Sequence, residues 1–326
     1  MEKKLPIALD AKDRMILYQL DQNSRQSYSE IGKKVKMPKN VVAYRVKRLM
    51  DEGIINGFYT IINVAKLGYM YIRLFISIQN GDEQTEKEIA DYFIQKREVS
   101  WISKVGDDWN FVVVLLEHDI TRFRQLYDDF LYHFNDKISE REVSIATEVY
   151  HFKNKFLFDR PDSSYCIVGG PLGKAKLDKI DVFVLNKLST NARVSVLDIA
   201  KVLHISPKTV AARIKRLKSE NIILDYRCRI NYEVLGYQHS HISLIFSRRS
   251  KELEKKFFSR LAMHQRVVYI TKAIGRWDLE FEILTKDQYE RYKILNELKK
   301  GFEIPIKSVE IIPTYGIYDI KYSITE

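Results

Sequence analysis

Two segments of the sequence carry Lys and Arg at helical spacing with no acidic residue among them. In Pro38–Met50 and in Ser206–Lys218, apolar residues recur every three or four positions, which predicts helices with one buried and one basic face. An α-helix fits the major groove of DNA, where cationic side chains reach phosphates and guanine edges. The basic faces are therefore candidate DNA-contact surfaces. Their residues are Lys39, Asn40, Tyr44, Arg45, Lys47 and Arg48 in the first segment and Lys208, Thr209, Ala212, Arg213, Lys215 and Arg216 in the second.

Both helices belong to a long internal repeat. Val42-x-x-Arg45-Val46-Lys47-Arg48-Leu49 returns as Val210-x-x-Arg213-Ile214-Lys215-Arg216-Leu217, at a shift of 168 residues (213 − 45). The same shift carries Asn23-Ser24-Arg25 onto Asn191-Ala192-Arg193. One unit fills about half of the chain, which is far too long for a solenoid repeat. Two whole modules in one chain are typical of a dimer made covalent.

Composition favours an anionic partner. The chain has 326 residues, of which 45% are hydrophobic and 30% charged, and its net charge is +11. Such a chain suits a polyanion, although an anionic membrane surface would also attract it. Because we find neither a signal-peptide stretch nor an apolar run near ~18 residues, we expect a cytoplasmic protein without a membrane span. Cys166 and Cys228 lack metal-ligand spacing and are expected to be plain thiols.

Each half begins with three predicted helices, and a tight turn between the second and third fits a helix-turn-helix. Ser206 and the proline after it form a good start signal for the third helix of the second copy. The first copy has Pro38 in place of that serine, so we expect its third helix to start less cleanly. Residues 54–59 and 222–226 predict short strands around a turn, which would form a wing.

The remainder of each half predicts the ferredoxin-like order βαββαβ, over 69–151 and 237–315. The expected fold class is therefore α+β, with two copies of a winged helix-turn-helix plus a ferredoxin-like domain joined as an intramolecular pseudo-dimer. A stretch rich in Gly, Pro and Ser at 159–176 is interpreted as the linker. The predicted domains are 1–64 and 177–232 (winged helix-turn-helix) and 65–158 and 233–326 (ferredoxin-like).

Strand alternation places Glu280 and Glu282 on the open face of the second sheet, where the first half has valines. Two glutamates that face a buried partner sheet need cations or hydrogen bonds. Arg73 of the first half and His241 of the second lie on the matching open faces. We therefore predict that Glu280 pairs across the halves.

Both halves resemble the Lrp/AsnC family of prokaryotic transcription regulators. The resemblance rests on Leu9-Asp10-x-x-Asp13 and Leu177-Asp178-x-x-Asp181, on the Asn-x-Arg pair, on the basic helix and on the Leu-Gly-Tyr that opens each second domain. It implies a helix-turn-helix that binds double-stranded DNA, with Arg45 and Arg213 matching the family's third-helix arginine. It also implies a domain that mediates dimerisation, supports further self-association and binds an amino acid or another small effector.

In that family the effector signature is a glycine followed by an aromatic residue and an aspartate, in the turn between the second and third strands. Gly275-Arg276-Trp277-Asp278 matches it, whereas Gly106-Asp107-Asp108-Trp109-Asn110 is one residue longer and has Asn in place of Asp. The alternative is a plain β-turn with a core tryptophan. The resemblance implies unequal effector sites at Gly106, Asp107, Asn110, Gly275, Trp277 and Asp278.

Two other functions are open. Sirohaem decarboxylases resemble this family and pair two related halves, but they carry a His-Asn-Tyr-x-Arg stretch near the second strand. The corresponding residues 99–104 and 267–272 contain no histidine that could act as a general acid, so we expect no catalytic residue, no cofactor and no enzyme activity. His239 and His241 lack a third ligand and are interpreted as strand-face residues rather than a metal site. An architectural protein that binds DNA with little sequence preference would use the same basic residues.

Overall fold

The computed structural model describes residues 6–79, 81–157, 162, 164–300 and 306–320. The first half contains α1 Ala11–Gln22, α2 Tyr28–Val35, α3 Lys39–Asp51, β1 Ile55–Ile62, β2 Met70–Ile78, α4 Glu83–Ile94, β3 Val99–Val105, β4 Phe111–Glu117, α5 Ile120–Phe134 and β5 Ile138–Phe152. Then follow β6 Tyr165–Gly169, α6 Lys179–Thr190, α7 Val196–Leu203, α8 Pro207–Ser219, β7 Ile223–Ile230, β8 Gln238–Phe246, α9 Lys251–Met263, β9 Val267–Ile274, β10 Leu279–Thr285, α10 Gln288–Lys299 and β11 Ile306–Ile320. The α+β class and the two copies are confirmed.

The third helices start at equivalent positions despite their different caps. Ser206 Oγ accepts a hydrogen bond from the Thr209 amide at 3.0 Å, which satisfies one of the free amides at the start of α8. Pro38 makes no side-chain cap hydrogen bond. Nevertheless α3 begins at the residue that corresponds to the first residue of α8, and both helices have 13 residues. A side-chain cap is therefore not required for α3 to begin at this residue.

The strand that follows each third helix pairs with the other half. β1 and β7 run antiparallel, with Phe58 opposite Cys228 and Thr60 opposite Tyr226. The expectation of two short strands around a turn in each half is therefore wrong. Each segment is one strand of eight residues, and its backbone groups are satisfied by the equivalent strand of the other copy.

Arg25 and Arg193 join the two helix-turn-helix units reciprocally. Arg25 Nη1 donates to the carbonyl of Ala192 at 2.5 Å, and Arg193 Nη1 donates to the carbonyls of Ser24 and of Gln26, the latter at 3.1 Å. The repeated Asn-x-Arg motif thus supplies a cross-half contact in both directions. One hydrophobic core runs through both units, so they form one body.

The strands of the two ferredoxin-like domains close into a ring of eight, here called the strand ring. Its order is β2-β4-β3-β11-β8-β10-β9-β5, and β5 pairs back onto β2. β5 and β11, each of 15 residues, begin in their own half and then cross, since β5 continues onto β9 and β11 onto β3. The predicted linker contains a strand, because its residues Tyr165–Gly169 form β6 and extend the sheet beside β5.

Three apolar clusters define the layers around the strand ring. One lies between the first half's strands and α4 and α5, and another lies between the second half's strands and α9 and α10. The third, inside the ring, consists of Phe75, Val105, Trp109, Trp277 and Ile312. The helices therefore cover the outside, and the two halves meet at the inside.

A cluster of charged side chains also lies at this inner interface, and it confirms the predicted cross-half pairing of Glu280. Arg73 Nη1 and Nη2 donate to the two carboxylate oxygens of Glu280 at 2.7 and 2.5 Å. His241 Nε2 lies 2.8 Å from Glu280 Oε2, and His239 Nε2 lies 2.7 Å from Glu282 Oε2. Glu280 is thereby matched by Arg73 of the first half and His241 of its own half, and Glu282 by His239 of its own half.

Burial and pairing act in opposite directions on these groups. Burial raises the pKa of Glu280, but Arg73 and His241 outweigh it and lower that pKa from 4.5 to about 2. Burial lowers the pKa of His241, but Glu280 and Glu282 outweigh it and raise that pKa from 6.5 to about 9. The stabilisation from Glu280 is complete above its unfolded value and is lost as the pH falls through about 2. That from His241 is complete below its unfolded value and is lost as the pH rises through about 9.

Glu280→Gln should lower the free energy of unfolding by about 3–5 kcal/mol near about pH 5.5, where both contributions are complete. The variant removes the carboxylate that is hydrogen-bonded to the buried Arg73, whose nearest remaining acid is Glu282 of the same cluster. Urea unfolding followed by tryptophan fluorescence measures the loss. The control Glu254→Gln, which breaks the exposed pair with Arg249, should cost about 0–1 kcal/mol. Equal losses in the two variants would contradict this account of the inner interface.

Candidate nucleic-acid interface

The helix-turn-helix geometry is set by a tight turn and a buried stripe. Lys36 and His204 end α2 and α7 in the left-handed conformation, with φ of 55° and 53°, and so turn the chain into the next helix. Both third helices then bury one apolar side. The buried residues are Val42, Val46 and Leu49 in α3 and Val210, Ile214 and Leu217 in α8.

The opposite side of each third helix is exposed and carries eight of the twelve candidate DNA-contact residues. Tyr44 is 67% exposed. Its equivalent in α8 is Ala212, so the first face presents an aromatic ring where the second presents a methyl group. The exposed residues are Lys39, Asn40, Tyr44 and Lys47 in α3 and Lys208, Thr209, Ala212 and Lys215 in α8.

The arginines of α3 point back to α1 instead. Arg45 Nη1 donates to Asp10 Oδ2 at 2.6 Å and to Asp13 Oδ1 at 2.8 Å, and Arg48 Nη2 donates to Asp13 Oδ2 at 2.5 Å. The side chains of Arg45 and Arg48 are 21% and 35% exposed, whereas that of Asp13 is 3% exposed. Asp10 also caps α1 through the Asp13 amide.

The second copy repeats this arrangement. Arg213 donates to Asp178 and, at 3.1 Å, to Asp181, and Arg216 donates to Asp181. Hydrogen bonds from the Asp181 amide and from Arg213 lower the pKa of Asp178. These ion pairs hold each third helix against the first.

The four arginines therefore lie at the edge of the polar side and pair with the first helix, and their contact with DNA stays a prediction. Helical periodicity placed them on the polar side, but it could not tell the outer part of that side from its edge beside α1. The signal was present in the repeated acids, because Leu-Asp-x-x-Asp supplies two carboxylates three residues apart. Arg45, Arg48, Arg213 and Arg216 position the third helices, and the lysines remain the exposed cations.

The tryptophans of the predicted effector signature are packed inside the strand ring. Trp109 and Trp277 are buried with ring centroids 6.4 Å apart, and both donate from Nε1 to Glu310, at 2.5 and 2.7 Å. A Cβ on Gly106 would lie 2.3 Å from the ring of Tyr315, an exposed side chain that packs over this turn. These contacts match the alternative of a turn with a core tryptophan.

The two polar residues that end the signature hold backbone. Asn110 Oδ1 accepts from the Ile78 amide at 2.8 Å, and Asp278 Oδ2 accepts from the Phe246 amide at 2.8 Å. Asp107 is exposed, with a φ of 63°. Gly275 lies against Ser144, 3.2 Å from the position of an added Cβ. The structure thus gives Asn110 and Asp278 equivalent structural contacts, although one is an amide and the other a carboxylate.

Sequence reasoning missed a buried ion pair between the halves that the repeat does not duplicate. Asp21, fully buried in α1, accepts from Arg227 Nε at 2.7 Å and from the Asn154 amide at 2.7 Å. The equivalent positions, Ser189 and Tyr59, carry no charge. An acidic residue on the buried side of a helix was the available signal. This contact ties the first helix-turn-helix to β7 and to the end of β5.

Among the described residues, no group of three His, Cys, Asp or Glu side chains is arranged to hold a metal ion. His239 and His241 lie instead against the glutamates of the inner interface. Within the same ranges, no helix is both long and apolar enough to cross a membrane.

Comparisons with known proteins identify both helix-turn-helix units. The family described as "Winged helix-turn-helix DNA-binding" matches residues 9–56, and "AsnC-type helix-turn-helix domain" matches residues 177–218. An HTH-type transcriptional regulator of Pyrococcus furiosus is 32% identical over 107 residues, which are 32% of this chain and 71% of the relative. The HTH-type transcriptional regulator LrpB of Bacillus subtilis is 23% identical over 151 residues, which are 46% of this chain and 98% of LrpB.

Similarity over the whole chain comes from a solved structure. The siroheme decarboxylase NirDL covers 96% of this chain, and 94% of NirDL is covered in turn, with a TM-score of 0.64 and 13% identity. At this identity the likeness shows the fold alone, namely the pairing of two halves. The chain belongs to the Lrp/AsnC family of helix-turn-helix transcription regulators, in a form that contains two copies of the family unit.

Arg213→Ala and Lys215→Ala test whether the arginine holds α8 in position and the lysine does not. The arginine variant leaves the buried Asp181 with one partner fewer and should lower the free energy of unfolding by about 1.5–3 kcal/mol. Lys215→Ala removes an exposed side chain and should change it by less than about 0.5 kcal/mol. Urea unfolding at one pH and salt concentration gives both values. Equal destabilisation would show that Arg213 does not support α8.

Proposed function

We propose that this transcription regulator recognises a specific DNA sequence composed of two unequal half-sites, with α3 on one and α8 on the other. The observation that supports this most strongly is that two exposed, lysine-bearing helix faces belong to one body, and that Asp51 at the end of α3 is the one acidic residue in the two helices. The β1–β7 pairing and the reciprocal arginines hold that body together. Paired helix-turn-helix units bind half-sites about one helical turn apart, ~34 Å.

The exposed residues fall into two groups, those suited to contact phosphates and those suited to contact base edges. Lys39 and Lys47, with Lys208 and Lys215 in the other copy, supply charge for phosphates, which gives affinity but little sequence information. Asn40 is suited to an adenine edge. Lys208 takes its equivalent position and suits a guanine edge or a phosphate, so the two half-sites should differ in sequence.

Tyr44 is the second difference between the faces. Its ring and hydroxyl extend from α3 where Ala212 offers only a methyl group, and a methyl group suits the apolar contact with thymine. The fused chain fixes which helix meets which half-site. A regulator of this form therefore reads an imperfect palindrome in one orientation.

We propose further that the chain is not an enzyme. The support is that residues 99–104 and 267–272 offer no histidine as a general acid. The small effector that the resemblance implies stays a prediction and is not part of the proposal. The reason is that Trp277, Asn110 and Asp278 are already engaged in packing and backbone contacts.

Replacement of Lys39, Lys47, Lys208 and Lys215 by alanine should weaken DNA binding and reduce its salt dependence. The slope of log affinity against log salt should fall by about one unit for each lysine that contacts phosphate. Fluorescence anisotropy with DNA from the regulator's own upstream region measures both quantities. Tyr44→Ala is the matched variant, because it should change sequence preference while it leaves the slope unchanged.

Full affinity and an unchanged slope in the four-lysine variant would overturn the proposed interface. Random DNA of the same length separates the remaining alternative. If it binds as tightly as the upstream DNA at every salt concentration, the protein is architectural rather than sequence-specific.

A further inference from the structure

One side of α10 exposes lysines and tyrosines at helical spacing. The buried residues Ile294, Leu295 and Leu298 pack toward the strand ring, and the exposed residues lie on the opposite side of the helix. We call this side, with the lysine that precedes the helix, the tyrosine–lysine stripe. Its members are exposed except for one half-buried asparagine, and they are Lys286, Tyr289, Tyr292, Lys293, Asn296, Lys299 and Lys300.

The two acids of α10 leave the stripe positive. Glu290 pairs with Arg266 at 2.8 Å, away from the stripe. Glu297 lies at its edge. Arg260 of α9 donates to the carbonyls of Glu297 and Lys300, at 2.7 and 2.9 Å, and so brings a cation to the negative end of the helix. The stripe is therefore a cationic surface that also carries aromatic rings.

The first half lacks this stripe, although α5 packs on β4 as α10 packs on β10. None of the four lysines has a lysine or arginine at its equivalent position. The equivalents of Lys286, Lys293, Lys299 and Lys300 are His118, Gln125, Leu131 and Tyr132. The two tyrosines correspond to Thr121 and Arg124. The same domain thus folds without the stripe, so packing of the domain does not explain it.

The stripe borders two open depressions in the surface. One, of about 220 Å³, is lined by Tyr289, Tyr292, Lys293, Asn296, Glu297 and Lys300. The other, of about 500 Å³, is lined by Lys299, Ile306, Lys307, Ser308 and Val309. Lys307 is exposed as well, so the cationic surface continues from α10 to the start of β11. There is room beside the rings for planar groups.

We propose that the tyrosine–lysine stripe binds single-stranded nucleic acid. Proteins that bind single strands combine cations that follow the phosphates with aromatic rings on which the bases stack. Tyr289 and Tyr292 are 73% and 64% exposed, so both rings can take a base. The bases of a duplex are stacked on one another and do not offer their faces. An acidic peptide would use the lysines but would leave the rings unexplained.

The stripe is separate from the proposed duplex interface. α10 covers the outside of the strand ring, whereas α3 and α8 belong to the helix-turn-helix body. The helix has 12 residues and is about 18 Å long, so the site takes a short segment of a strand. Such a segment is supplied by RNA or by a melted DNA strand.

Fluorescence anisotropy of the full chain with a labelled, unstructured oligonucleotide of mixed sequence tests the stacking. Tyr289→Ala with Tyr292→Ala should raise the dissociation constant at least about tenfold, because two stacking platforms are lost. Tyr289→Phe with Tyr292→Phe keeps the rings and should retain the affinity. The control Tyr132→Ala removes a tyrosine of α5 that is 82% exposed and should change nothing. Tighter binding of the ribo-oligonucleotide would support an RNA site, and tighter binding of the deoxyribo-oligonucleotide would support a site for melted DNA.

The salt dependence of the same binding tests the lysines. Lys293→Ala with Lys300→Ala should lower the slope of log affinity against log salt by about 0.7 for each lysine that contacts a phosphate. The double tyrosine-to-alanine variant should keep the wild-type slope, since it removes no charge. Lys174→Ala with Lys176→Ala, which removes two exposed lysines before α6, should leave both affinity and slope unchanged.

The duplex interface provides the second control. The variant with alanine at Lys39, Lys47, Lys208 and Lys215 should bind the oligonucleotide as the wild type does. The double tyrosine-to-alanine variant should bind the upstream duplex as the wild type does, which also shows that it is folded.

Three results would overturn the proposal. The first is unchanged oligonucleotide affinity in the double tyrosine-to-alanine variant. The second is loss of oligonucleotide binding in the four-lysine variant, because the third helices would then hold the strand. The third is displacement of the oligonucleotide by poly-glutamate at the same concentration of negative charge as effectively as by unlabelled oligonucleotide, because the stripe would then select charge alone.

Discussion

Antiparallel pairing of β1 with β7 is the constraint on which the rest of the structure depends. Each strand follows its own third helix and pairs with the equivalent strand of the other copy. Arg25 and Arg193 repeat the exchange with carbonyls of the opposite unit. The pairing joins the two helix-turn-helix units into one body, in which α3 and α8 are held in a fixed arrangement. Fusion supplies in one chain what two separate chains would otherwise have to assemble.

Within that body, the basic residues of the third helices form two groups with different roles. The arginines nearest the first helix are neutralised by the Leu-Asp-x-x-Asp carboxylates and fix the position of the third helix, since a charged hydrogen bond to a buried acid is strong and directional. The lysines of the third helices lie exposed, and they are the cations of the proposed DNA interface. The inner interface follows the same rule, because Arg73 and Glu280 stabilise each other only as a pair.

The repeat and the apolar periodicity predicted the elements, the two copies and the pairing of Arg73 with Glu280, because these follow from local spacing and strand alternation. The exchange of strands between halves was not predictable in this way. The strand in Ile55–Ile62 has the same local pattern whether its partner is its own hairpin or the other copy. The orientation of Arg45 was missed for a related reason. A polar residue at the edge of a helix face forms an ion pair or stays in solvent according to which side chain of another helix lies beside it. Asp13 was that neighbour.

Hydroxyl-radical footprinting of the wild-type chain on its own upstream DNA tests the central claim, that one chain presents two unequal reading helices, most directly. The account predicts two protected segments about one helical turn apart, ~34 Å, that differ in sequence and are lost together as salt rises. A single protected segment, or protection spread evenly along the fragment, would contradict it.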